Sequence, residues 1–373
     1  MNFLLVCGGT AGHINPALAI AFELRRRQSD AKILFVGAGK ELENRLIPNA
    51  GYHIVNIRMS GLRRSLSAES LIYNFGTLKN LTTAGLKAEN LIKRFKPDAV
   101  IGTGGYICYP VLKKAAQMGI PTVVHGSDAV PGLTTKMLSS TVDKVLVSFP
   151  GLEKLYRRPD RVVFTGTPIR AGFETSPAEC VNECKLKIKP RIVSFWGSLG
   201  AERMNEAIAE FIKINLEEGK YEHIHATGKS GFVTMKERLK RLGVPEDLPN
   251  GIEVREYIND MPAVMASADL MVCRSGASTI AELTVMGKPA VLVPSPYVTN
   301  NHQEENAKQL QKAGGAVMLL EKDCSGKKMY ETISSIVDDK DRLARMSRAQ
   351  KSLASPDATG KIVEIILGLI VKD

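Results

Sequence analysis

The chain has 373 residues, 44% hydrophobic and 24% charged, with a formal net charge of +11. That length suits two domains at roughly 100–200 residues each, and the balance of residues excludes a disordered or fibrous chain. The positive charge points to a polyanionic partner, while an aromatic content of 6% argues against a stacking platform for single-stranded nucleic acid.

The first residues, 1–7, have no basic stretch ahead of a short apolar run, so they read as a first strand and not as a signal peptide. No run approaches 18 uncharged apolar residues, and no membrane-spanning helix is predicted. Strands are expected at 3–7, 33–36, 53–57, 99–101, 122–124 and 144–147, with helices at 17–27, 68–95 and 110–118 between them. The pattern pauses over 165–190. It restarts with strands at 192–196, 223–226, 252–254, 270–273, 290–293 and 316–320, and a last helix follows Pro356. Strands alternating with helices predict parallel sheets covered on both faces, an α/β fold of two Rossmann-like lobes. The expected division is 1–165, rejoined by a C-terminal helix at 356–373, and 166–355. Of six scattered cysteines only Cys180 and Cys184 are close, with no zinc pattern around them, so reduced thiols are expected.

Gly8-Gly9-Thr10-Ala11-Gly12-His13 closes the first strand and feeds a helix. It is neither a G-x-G-x-x-G fingerprint nor a P-loop, which disfavours a nicotinamide cofactor. His13 sits at a strand-to-helix corner. It could take a proton from a sugar hydroxyl near neutral pH, or serve as a cap or a satisfied structural histidine. Similar polar corners follow other strands, at Gly102–Tyr106, at His125-Gly126-Ser127-Asp128, at Trp196-Gly197-Ser198-Leu199-Gly200 and at 300–306. In Arg274–Glu282 a strand, a Ser275-Gly276 turn and a helix start at Ala277 form the parts of an anion site. Glu282 falls about a turn and a half into that helix, where its carboxylate could accept from ribose hydroxyls.

These motifs together resemble the MurG family, the UDP-N-acetylglucosamine transferases that make the lipid-linked disaccharide precursor of peptidoglycan. The resemblance is carried by Gly8–Ala21, Gly104-Gly105-Tyr106, Thr165–Arg170, Gly197–Ala201 with Asn205, Cys273–Thr279 with Glu282, His302–Asn306 and Ser355–Thr359. It implies a GT-B fold, two lobes facing a cleft, with acceptor on the first and donor nucleotide on the second. It implies an inverting, metal-independent displacement, with UDP-N-acetylglucosamine as substrate and no cofactor. It assigns the donor to Thr10, Ala11, Gly12, Asp128, Arg170, Ser198, Ile258, Ala277, Ser278, Thr279, Ile280, Ala281, Glu282 and Gln303. It assigns the acceptor side to Gly104, Gly105, Tyr106 and His125, and the base to His13. Helix-end amides and Arg170 would stabilise the departing UDP. The chain departs from the family pattern at Ala11, at Gly126 and Asp128, at Leu199 and at Thr167. Because Gly126 carries no carboxylate, His13 is the stronger candidate base.

Residues 62–96 carry Arg63, Arg64, Lys79, Lys87, Lys93, Arg94 and Lys96 beside Leu71, Phe75, Leu78 and Leu81. Such a stripe either packs into the core or holds the protein on an acidic bilayer. The resemblance implies a peripheral position on the cytoplasmic membrane face, a lipid-linked muramyl-pentapeptide acceptor and other wall-building proteins as candidate partners, with no nucleic acid. Asp339-Lys340-Asp341 reads as solvated charge and not as a metal motif. Two other readings fit the same residues: another UDP-sugar transferase acting on a glycolipid, and a non-catalytic UDP-sugar-binding scaffold.

Overall fold

Asn2–Cys7 (β1) is apolar from Phe3 to Cys7, and those residues have no solvent exposure. A strand covered by helices on both faces needs such a run. The structure, a computed structural model, describes residues 1–59, 68–169, 172–173, 189–197, 200–249 and 251–371, with the backbone alone over 68–80. The chain divides into two compact units, Met1–Ala171 with Asp357–Asp373, and Gly172–Pro356.

In the first unit β1 is joined by Lys32–Gly37 (β2), His53–Asn56 (β3), Ala99–Gly104 (β4), Thr122–Gly126 (β5), Lys144–Val147 (β6) and Val162–Phe164 (β7). They form a parallel sheet in the order β3-β2-β1-β4-β5-β6-β7. The direction of winding reverses between β1 and β4, the place where ligands bind in open α/β sheets, beyond the strands' carboxyl ends. The register there shifts between Val6 and Cys7, so that Cys7 pairs with Gly104. The core is built on Phe3, Leu5, Ile14, Ile20, Phe35 and Ile101. It is completed by Ile362, Val363 and Ile366 of the helix Ala358–Ile370.

The second unit holds Arg191–Phe195 (β8), Glu222–Ala226 (β9), Ile252–Arg255 (β10), Leu270–Cys273 (β11), Ala290–Leu292 (β12) and Ala316–Met318 (β13). All are parallel, in the order β10-β9-β8-β11-β12-β13, and the switch point lies between β8 and β11. Ile192, Val272, Phe211 and Ile333 are among its buried centre.

Two elements differ from expectation. β7 is a seventh strand in the first sheet, too short at three residues to show a period. The first helix runs Ala11–Arg27 and takes Pro16 inside it, whereas the sequence places its start after that proline. Proline removes only one bond, to the carbonyl of Gly12 in the opening turn. The helix therefore starts directly from the Gly8-Gly9-Thr10 turn, and His13 lies in its first turn. Asp339 is a helix cap: its carboxylate accepts from the Arg342 N–H at 2.8 Å at the start of Lys340–Ser352.

Candidate active site

In the first unit the ends of β1 and β4 meet at the switch point. The Gly8 N–H donates to the Gly104 carbonyl at 3.1 Å. Gly105, at φ +91°, lies so close that a Cβ on it would stand 2.7 Å from Gly8 O. His13, half-buried, donates from Nδ1 to the Gly8 carbonyl at 2.7 Å, with Thr10 Oγ1 3.4 Å from the same nitrogen. A carbonyl oxygen can only accept, so Nδ1 carries the proton and Nε2 of the neutral ring carries the lone pair. Thr103 Oγ1 donates to the His13 carbonyl at 2.7 Å and ties the helix start to β4. Gly9, Thr10 and Gly12 are exposed, and so is Tyr106 at 44%. The structure thus brings Thr10, Ala11, Gly12, His13, Gly104, Gly105 and Tyr106 to one edge of this sheet.

His125 is placed differently. It is 1% exposed, donates from Nε2 to the Gly166 carbonyl at 2.9 Å, and has Ser127 Oγ 3.3 Å from Nδ1. Burial pulls its pKa down to about 4, so it is a neutral brace inside the unit with both nitrogens engaged. Thr167 donates to Ser148 Oγ at 2.6 Å beside it. Above Gly126 stands the Tyr156 hydroxyl, 3.1 Å from where a Cβ would be. Burial, and then the charge of Asp128, hold that phenol above its ordinary range.

In the second unit the helix Ala277–Met286 starts at Gly276 with no side-chain cap and no acidic residue in its first turn. Its opening N–H groups have no intrahelical acceptor, and the helix dipole favours an anion there. Ser278, Thr279 and Ala281 are partly exposed, whereas Ala277 and Ile280 face inward. Glu282 is 5% exposed, close enough to Cys273 for its charge to add to the burial that raises that thiol's pKa. Ser275 Oγ donates to the Gln303 carbonyl at 2.7 Å, and Asn306 Nδ2 to the Ser275 carbonyl at 3.2 Å. Gln303 Oε1 accepts from the Ser295 N–H at 2.9 Å, which leaves its amide NH2 to donate. Beside them is a pocket of about 660 Å3 lined by Trp196, Gly197, Arg274, Ser295, Gln303 and Glu321. Ile258 is buried at 3%, so its backbone is what it can offer. Arg170 and Ser198 lie outside the described residues.

Sequence reasoning missed three groups. Glu43 is fully buried and accepts from the Gly9 N–H at 2.7 Å. Arg274 and Glu321 form an ion pair at 2.6 Å in the pocket wall, with side chains 11% and 5% exposed. The Arg-Ser-Gly run hints at the arginine, but nothing in the sequence pairs it with Glu321.

The N-terminal domain of glycosyltransferase family 28 matches residues 3–147, and its C-terminal domain matches residues 191–362. The chain is 43% identical to the UDP-N-acetylglucosamine–N-acetylmuramyl-(pentapeptide) pyrophosphoryl-undecaprenol N-acetylglucosamine transferase of Acetivibrio thermocellus, over 98% of this chain and 97% of that one. It is 41% identical to the same-named transferase of Ruminiclostridium cellulolyticum, over 99% and 100%. Among solved structures it is similar to MurG of Acinetobacter baumannii, at TM-score 0.75 and 26% identity over 99% and 100% of the two chains. With both domains matched and relatives of this identity aligned end to end, the chain belongs to glycosyltransferase family 28 and, within it, to the MurG family.

Proposed function

We infer that the protein moves N-acetylglucosamine from UDP-N-acetylglucosamine to a lipid-linked N-acetylmuramyl-pentapeptide, the transfer its relatives are named for, and so acts in peptidoglycan synthesis. The observation that supports the chemistry is the 2.7 Å contact of His13 Nδ1 with the Gly8 carbonyl, an oxygen that can only accept. With Nδ1–H held by the Gly8 carbonyl, Nε2 is the basic nitrogen. In the inverting reaction it takes the proton of the acceptor hydroxyl as that oxygen attacks the anomeric carbon and the bond to the UDP oxygen breaks.

The second unit receives the donor. The diphosphate lies against the bare start of the Ala277 helix, through the amides of Ala277, Ser278 and Thr279, where leaving-group charge is stabilised without a metal. Glu282 accepts from the ribose, the Ile258 backbone meets the uracil, and the amide NH2 of Gln303 donates to a sugar hydroxyl. Arg170 and Ser198 join the diphosphate, and the same reading gives Thr10, Ala11, Gly12 and Asp128 to the donor. Gly104, Gly105 and Tyr106 take the acceptor. His125 contributes through the loop it braces.

The protein works at the cytoplasmic face of an acidic membrane. No helix of the described residues is long and apolar enough to cross a membrane. In the helix Ala68–Phe95, Ala84, Ala88 and Ile92 are buried, while Lys87, Lys93 and Arg94 are exposed along with Leu86 at 62%. Leu81, the one residue of the apolar stripe whose side chain is described, is partly exposed, and the later turns of the helix pack inward and leave a basic outer face. The side chains of Arg63, Arg64, Leu71, Phe75, Leu78 and Lys79 lie outside the described residues.

The test is a transfer assay with UDP-N-acetylglucosamine and a short-chain lipid-linked muramyl-pentapeptide, on the chain and on His13→Ala. The product should form from that pair. His13→Ala should lose roughly a hundredfold or more in turnover with UDP affinity near normal. UDP binding without turnover in the unaltered chain would favour a scaffold instead.

A further inference from the structure

Glu43, in the helix Glu41–Asn49 of the first unit, is a carboxylate with no solvent exposure. Its Oε2 accepts from the N–H groups of Gly39 at 2.9 Å and Lys40 at 3.1 Å, as a glutamate in the first turn of a helix commonly does. Its Oε1 reaches a segment 34 residues away and accepts from the Gly9 N–H at 2.7 Å. Missing side chains make the room: a Cβ on Gly8 would stand 3.2 Å from Oε1, and one on Gly37 2.6 Å from Oε2.

The Gly9 N–H and the Gly8 carbonyl are opposite edges of one peptide plane, rigid and trans. Glu43 holds one edge. His13 donates to the other from Nδ1 at 2.7 Å. Negative charge at the N–H edge draws electron density toward the carbonyl oxygen, so the two bonds strengthen each other.

We propose that Glu43 is a positioning residue for the transfer: through the Gly8–Gly9 peptide it fixes His13 in the tautomer that keeps Nε2 free for the acceptor hydroxyl. This rests on the reading of His13 as the base. The role is that of the carboxylate beside the histidine of a hydrolase triad, with a peptide group interposed. No proton leaves Glu43 and none passes through the peptide. Cys7, whose thiol feels the Glu43 charge, is held neutral mainly by its own burial.

Glu43→Gln separates the two halves of the contact. Its single carbonyl oxygen is claimed by the two donors at Gly39 and Lys40, and its NH2 then faces the Gly9 N–H, donor against donor. The helix start survives while the peptide plane is released. The full chain is studied by NMR with 15N-labelled histidine, which reads the His13 tautomer, and by steady-state transfer kinetics. The unaltered chain should carry the His13 proton on Nδ1, and Glu43→Gln should show a mixture of tautomers. Its kcat should fall roughly tenfold or more, with donor KM within about twofold. An unchanged tautomer in Glu43→Gln overturns the positioning role. A changed tautomer with unchanged kcat overturns the role in transfer, and His13→Ala with full turnover would trace that failure to the base assignment. Should Glu43→Gln not fold, Glu43→Asp, charged but one carbon shorter, is read by the same two measurements.

Discussion

The ring of His13 fills the space that a side chain at Gly104 would need: a Cβ there would stand 2.7 Å from Nε2. Gly104 also has φ +124°, a conformation that side chains resist. Gly104→Ala should therefore push the imidazole off the Gly8 carbonyl. Turnover should fall with donor KM little changed, and stability should drop by about 1–3 kcal/mol from backbone strain. Transfer kinetics beside thermal unfolding measure both, and full turnover would place the ring outside the reaction.

Gln303→Glu keeps the acceptor for the Ser295 N–H and removes the amide donor. The fold should persist. Donor KM should rise roughly tenfold, about the worth of one hydrogen bond to a sugar hydroxyl plus repulsion from the nearby diphosphate. An unaltered KM would detach Gln303 from the sugar.

Arg274→Met should destabilise the second unit by about 3–5 kcal/mol, because it strands the buried Glu321 carboxylate and the carbonyls of Val293 and Pro294. Adding Glu321→Leu should recover much of the loss. Urea unfolding followed by the fluorescence of Trp196, 5.7 Å from the Arg274 guanidinium, reads the change. Equal midpoints for the single and double variants would contradict a paired role.

Acid should weaken both units. His125 binds a proton only near pH 4 when folded, against about 6.5 when unfolded, so the unfolded chain holds more protons across that window. Stability is then fully present above pH 6.5 and is lost as pH falls toward 4, by at most about 3 kcal/mol from this residue. His225, pulled down to about 3 by burial, acts in the same direction in the second unit. Unfolding midpoints at pH 7 and pH 5 test this, and His125→Gln should show the smaller difference. A difference as large as that of the unaltered chain would remove His125 as a cause.

The readable parts of the chain were those with local causes. The run from Phe3 to Cys7 declares a buried strand, and Gly276 and Gly287, the latter at φ +63°, bracket the Ala277 helix closely enough to read its ends. Distance in sequence hid the rest. β7 has three residues and owes its place to β6. His125 looks like a ligand-facing corner residue until Gly166, 41 positions on, claims its ring. Glu43 follows a lysine where a capping signature would show serine or threonine, and its decisive bond spans 34 residues. Pro16 misplaced the first helix because proline usually marks a helix start, and here the opening turn tolerates it.

The helix Ala358–Ile370 inserts Ile362, Val363 and Ile366, all without exposure, into the core begun by β1. During synthesis on the ribosome the earlier-made sheet must therefore wait, its apolar floor uncovered, until residues 358–370 emerge. Residues 172–356, which are continuous in the chain, can close around their own centre first. The first unit is completed only after residues 172–356 have been made, and in that interval its uncovered core is open to chaperones and proteases.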